Sequence, residues 1–376
     1  MFGDKQDIGI IFVGLPRLLL EASNLVESES DYLVKCARSM TGDNSITHDQ
    51  QIFRDIRKGT ASFEDVKNYL DRLVLKKDIN FNQCPKSHKD DVMGDWYLIK
   101  SCVHGMLESA SGKHKDIADI LKFVMTHCEV ERLFLREMSQ TPSRSAAVQY
   151  ISNWLGIEHM MLLKRTVKAN ITFYVRFTLY WTTILEKIAS TWIEESNPKF
   201  LKSIMPTLDI MKSEFSPSSE KLLVKFKKIF EQENCGGKRS SWKQYYKHIA
   251  IKKQQDSTLG INTVPDLVDP DTEAIKKQYQ RWREGKLFSF DAFRKDVYIS
   301  HSSFDSSKKE MEAFLIFLIS NMLTKVQNTL IEQCDKRIDT EELFTHIESE
   351  FAKVESVREL VDKRYAHFQK YGELRA

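Results

Sequence analysis

Apolar residues recur along most of this chain at intervals of three and four, the spacing that lines one face of an α-helix. Ser62 and Asp65 form an S-x-x-D cap ahead of Val66, Tyr69, Leu70, Leu73 and Val74, a complete buried stripe. Ile117, Ile120, Leu121, Val124 and Met125 repeat the pattern, as do Ala147, Val148, Ile151, Trp154 and Leu155 after the breaker Thr141-Pro142-Ser143. Met311, Phe314, Leu315, Leu318, Met322, Val326 and Leu330 predict a helix of about six turns. Leu343, Phe344, Ile347 and Phe351, then Val357, Leu360, Val361, Tyr365 and Phe368, predict two more. The most apolar run, Ile171 to Leu185, contains Arg176, Thr172, Thr178, Thr182 and Thr183. It falls short of the roughly 20 residues that cross a bilayer, so it reads as a buried core helix. Period-two alternation shows only at 288–299, where Phe288 and Phe290, then Val297 and Ile299, predict the one place for a strand.

Breaks in the periodicity fall at 78–91, 139–145, 196–219, 233–241 and 254–272, where Pro and Gly gather. They divide the chain into an N-terminal helical domain (1–156), a central basic helical segment (157–256) and a C-terminal helical domain (257–376). The expected fold is all-α, a multi-helix bundle of two or three subdomains with little or no sheet. Composition supports it: 14 Gly and 8 Pro in 376 residues leave few turns for a β architecture. Hydrophobic and charged fractions of 41% and 29% are those of a globular chain with ample core.

The six cysteines lie far apart without a CxxC pair, as expected of a reduced compartment. The first residues lack a basic, uninterrupted leader, since Pro16 and Arg17 break the run Ile8 to Leu20. A soluble, cytoplasmic protein without membrane attachment is therefore the expectation. Cys84, His88, Cys102, His104, His114, His127 and Cys128 cluster loosely, but without the short paired spacing of a zinc knuckle they read as core and surface residues. No Walker loop, G-x-G-x-x-G, G-x-S-x-G or H-E-x-x-H occurs, and neither cofactor nor metal is expected.

Charge changes the picture more than composition does. The whole-chain balance of +3 conceals ten Lys or Arg against three acids between Lys221 and Asp256, a local excess of 10 − 3 = 7. Trp242, Tyr245 and Tyr246 sit among these cations. Cations attract phosphate and release counterions, and aromatic faces stack on unpaired bases. Lys238, Arg239, Trp242, Lys243, Tyr246 and Lys247 are accordingly the candidate nucleic-acid contacts, with a protein partner as the alternative use of the surface.

Two short segments resemble known families. Gln280-Arg-Trp-Arg-Glu-Gly285-Lys286-Leu-Phe-Ser289 resembles the end of one helix and the turn into the next in phage-repressor-like helix-turn-helix proteins, which implies a Gly helix stop and a Ser289 cap. It lacks that family's Pro before the Ser and is one residue shorter. Arg294-Lys-Asp-Val-Tyr-Ile-Ser-His301 resembles the R-x4-6-H signature of HEPN ribonucleases. That resemblance implies a metal-independent ribonuclease in which His301 is the general acid or base and Arg294 stabilises the phosphate. Asp362-Lys-Arg-Tyr-Ala-His367 is a second near-match, with Val361 where the family has Arg. The sequence thus favours a non-enzymatic protein that binds nucleic acid or serves as a scaffold, in a prokaryotic system handling DNA or RNA. The ribonuclease and the pure protein–protein scaffold are the alternatives.

Overall fold

The computed structural model describes residues 115–140, 144–164, 166–193, 200–209, 214–258, 272–298, 307–335 and 337–374. This region is 82% helical, with twelve α-helices and one two-stranded sheet, the all-α bundle that the periodicity predicts. The capped helix at Ser62, together with Cys84, His88, Cys102, His104 and His114, lies outside the described residues. Helix α1 (Lys115–Gln140) belongs to one compact unit and everything from Arg144 onward to another. Along α1, Ile117, Ile120, Leu121 and Val124 are buried as a stripe, and the buried His127 ring meets Phe123 edge-on at 4.6 Å.

The second unit is built around α4 (Val167–Ile193), preceded by α2 (Arg144–Leu155) and α3 (His159–Leu163). Nearly every face of α4 is covered, because it packs along α10 (Ser307–Cys334), α11 (Thr340–Phe351) and α12 (Val354–Tyr371). Two of its buried threonines bond back one turn: Thr178 donates to Tyr174 O and Thr182 to Thr178 O, both at 2.8 Å. Trp154 of α2 meets Phe177, Tyr180 and Trp181 of α4 in edge-on contacts at 5.5, 5.6 and 6.5 Å. Segments about 175 positions apart are then fastened by charge. Arg176 pairs with Glu350 at 2.8 Å, Glu186 with Arg358 at 2.7 Å and Lys187 with Asp362 at 2.7 Å. Arg364, buried, donates to the Asn153 carbonyl at 2.6 Å and satisfies an acceptor at the C-terminal end of α2.

A second layer follows in sequence: α5 (Phe200–Ser203), the hairpin β1 (Thr207–Asp209) and β2 (Glu214–Ser216), α6 (Ser218–Asn234), α7 (Trp242–Thr258), α8 (Glu273–Arg283), α9 (Phe290–Phe293) and a π turn at Arg294–Tyr298. The strands pair antiparallel, with Leu208 opposite Phe215. Among the described residues of the segment 288–299 the expected strand does not form. Phe288 instead fills the core from a loop, Phe290 packs on Phe314 and Phe317, and Phe293 and Val297 turn inward from helical backbone. Alternation there reflects burial from both sides of a short bend.

That bend is held by α10. Asn321, fully buried, accepts from Phe288 N at 3.1 Å and donates to Phe288 O at 3.0 Å, doing for this peptide what a neighbouring strand would do. Thr324 accepts from Ser219 N at 3.1 Å, and Asn328 donates to Gly285 O at 2.8 Å. Gly285 has φ of +90°, and a Cβ there would stand 3.1 Å from Asn328 Oδ1, so both the backbone and the neighbour call for glycine. Within α10, Glu312–Cys334 is long and apolar enough to cross a membrane by length and composition, with 72% of the most apolar window buried inside the fold.

Candidate nucleic-acid interface

The basic segment begins where α6 ends. Gly236 and Gly237, at φ of +58° and +78°, reverse the chain, and Gly237 N returns to Glu231 O at 2.9 Å. Glu231 then organises the loop: it pairs with Lys227 and accepts from Ser240 N at 2.7 Å. The Lys227 hydrogen bond, followed by the Ser240 N–H, lowers its pKa to about 2. Ser241 opens α7 with a reciprocal cap, accepting from Gln244 N at 3.2 Å while its own N–H donates to Gln244 Oε1 at 2.8 Å. These bonds leave Lys238, Arg239 and Lys243 exposed and with no carboxylate partner among the described residues, and Lys247 is exposed one turn further on. Across 228–253 seven cationic residues (228, 238, 239, 243, 247, 252 and 253) are exposed, against Glu233 as the exposed acid, and of the seven Lys253 is paired with the buried Asp296 at 2.6 Å.

The aromatic residues of the segment have other work. Tyr245 is wholly buried and Tyr246 is 7% exposed; they meet Tyr279 of α8 at 5.8 and 5.4 Å. Burial pushes the phenols of Tyr245, Tyr246 and Tyr279 up, so they stay neutral donors, and Tyr279 spends its proton on Asp296 O at 2.6 Å. Trp242, half-buried, is stacked on Tyr246 at 5.8 Å, with the Arg283 guanidinium over its ring at 4.9 Å and the Lys227 ammonium at 5.6 Å. Part of its π-surface is thus engaged from within the protein. Of the six candidate residues, four therefore present charge to solvent and two support the helix that carries it.

Beside this rim lies a groove of about 1020 Å³ between α7, α8 and β2. Trp242, Tyr246 and Phe215 contribute its apolar lining, with three cations (Lys243, Lys276, Arg283) and three carboxylates (Glu220, Glu273, Glu284). Several of these neutralise one another: Arg283 donates to Glu220 at 3.2 and 3.0 Å, and Lys276 approaches Glu273 at 3.4 Å. Unlike the rim, the groove carries no formal excess of charge.

No protein-family model, curated protein or solved structure matches this chain.

The two family-like segments behave differently. Gly285 does end α8 and Ser289 does cap α9, accepting from Ala292 N at 3.3 Å, but α9 is four residues long and runs straight into the π turn. The loop is tied inward by Asn321 and Asn328, so this junction presents no second helix to a groove. Arg294 lies in the π turn, one-third exposed and 3.8 Å from Asp291, while His301 lies outside the described residues. At the second near-match, Arg364 is bound to Asn153 O and His367 packs on Tyr371 at 4.6 Å. Among the described residues no group of three or more His, Cys, Asp or Glu is placed to hold a metal ion. The rim's dependence on Glu231, Lys227 and Arg283 was not readable from the segment itself, although Lys227 and Glu231 stand at the i, i+4 spacing of a helical ion pair.

Proposed function

We propose that this chain works by binding, as a nucleic-acid-associated protein whose contact surface is the rim formed by Lys238, Arg239, Lys243 and Lys247. The observation that carries the reading is the excess of exposed cations over exposed acids at 228–253, with Lys238, Arg239 and Lys243 lacking a carboxylate partner among the described residues, on a loop and helix pinned by Glu231 and Trp242. A fixed array of ammonium and guanidinium groups gains affinity for polyphosphate by releasing condensed counterions. Fluorescence anisotropy with a labelled oligonucleotide at 50 to 200 mM salt tests it. Affinity should fall steeply as salt rises, and K238E/R239E/K243E/K247E should abolish both affinity and slope. A reversed variant that binds like the parent removes the rim from consideration.

The groove favours a second reading, a protein scaffold. Balanced charges around an apolar lining suit a peptide segment better than a phosphate chain. If the intact protein ignores nucleic acid at low salt, this reading stands in its place.

A further inference from the structure

We infer that the rim reads phosphate density alone, and that its preferred ligand is duplex rather than single-stranded nucleic acid. The inference rests on the reading of the rim as a nucleic-acid surface and adds which class of nucleic acid it takes.

Single-strand selectivity comes from aromatic rings on which unpaired bases stack, each worth about 1–3 kcal/mol. The rim has three aromatic residues within reach, and each already packs against side chains of the protein. Tyr245 and Tyr246 are buried against Tyr279, and the Trp242 ring carries Arg283, Lys227 and Tyr246. Freeing Trp242 would strip Arg283 of its ring while leaving it bound to Glu220, and would open the packing that seats α7 on α8. The neighbouring groove, although Trp242, Tyr246 and Phe215 line it, sets Glu220, Glu273 and Glu284 against three cations and so has no excess of charge to hold a strand's phosphates.

What remains on the surface is charge: Lys238 and Arg239 on the loop, then Lys243 and Lys247 one helical turn apart, about 6 Å along the axis. A ligand recognised by charge alone is ranked by its linear charge density. Duplex DNA carries one charge per roughly 1.7 Å of axis, and a single strand is more sparsely charged and releases fewer counterions per contact, about 0.7 against 0.9. With Lys238, Arg239 and Lys243 engaged, log K should fall against log salt with a slope near −2.7 for duplex and −2.1 for single strand. Base identity should not matter.

The test compares three labelled probes of equal length at 50, 100 and 200 mM salt: a mixed-sequence duplex, oligo-dT, and an abasic phosphodiester strand. Expected are about fivefold or greater preference for duplex at 50 mM, dT and abasic strands equal within twofold, and a roughly fortyfold loss of duplex affinity across the salt range. K238E/R239E/K243E, altered only at exposed positions and checked for retained melting temperature, should bind all three probes at least about thirtyfold more weakly. Oligo-dT bound tighter than duplex, or tighter than the abasic strand by tenfold, would show that bases are read and overturn the inference while leaving the proposed function intact. Absence of binding to all three would overturn both.

Discussion

Asn321 supplies the sharpest test of how the fold positions the rim. Its side chain closes two hydrogen bonds on the backbone of one buried residue, Phe288 N and O, at 3.1 and 3.0 Å, and neither residue reaches solvent. Asn321→Ala orphans a buried N–H and a buried C=O, each costing about 1–3 kcal/mol, and recovers part of that by removing the buried amide, for a net loss of about 3 kcal/mol. For a unit of this size each kcal/mol moves the melting temperature by about 2–4 °C, so a fall of roughly 6–12 °C is expected. Asn321→Leu should fall comparably, which separates lost hydrogen bonds from lost volume. The damage is also local. Hydrogen exchange in a peptide spanning 282–290 should accelerate about a hundredfold, as 3 kcal/mol of protection is lost. A melting shift below about 2 °C together with unchanged exchange there would refute the role given to Asn321.

Three further expectations follow from the same packing. Gly285→Ala should cost about 1–3 kcal/mol in thermal unfolding, because the residue must hold φ of +90° and its new methyl meets Asn328; a neutral result would mean the loop relocates. Glu350→Ala should cost about 3–5 kcal/mol by leaving Arg176 unpaired and largely buried, whereas Arg176→Met/Glu350→Leu should regain most of it, and a double variant no better than the single would contradict this account. His346, beside Thr172 at 2.9 Å, has its pKa lowered chiefly by burial. The unfolded chain therefore takes up a proton more readily than the folded one. Its stabilising contribution is complete above the ordinary value of 6.5 and declines as pH falls below it; a His346→Gln variant that loses as much stability as the parent between pH 7 and 5.5 would argue against that.

The helices were legible wherever one long apolar stripe faces one core, as in α2, α10, α11 and α12. Residues 288–299 were misread because burial of Phe288 from a loop and Phe290 from a helix start counterfeits a two-residue period over too few positions to expose itself. The hairpin escaped notice for a related reason, since Thr207–Asp209 and Glu214–Ser216 are too short to alternate visibly. At the rim, the density of cations was plain in the sequence, but the orientation of Trp242 and Tyr246 was not. Which way an aromatic points from a helix crowded with lysine is decided by Tyr279 and Arg283, some 35 to 40 residues further on, and nothing local encodes their arrival.

The ion pairs joining α4 to α11 and α12 carry a consequence for the protein's birth. Arg176, Glu186 and Lys187 find their partners only after about 175 further residues have been joined. At translation speeds of about 5–20 residues per second, α4, with α2 and α3 of its unit made ahead of it, waits roughly ten to thirty seconds on the ribosome before its charged partners on α11 and α12 have been made. Throughout that interval α4 exposes apolar surface in a crowded solution, so the yield of folded protein should depend on a holding chaperone.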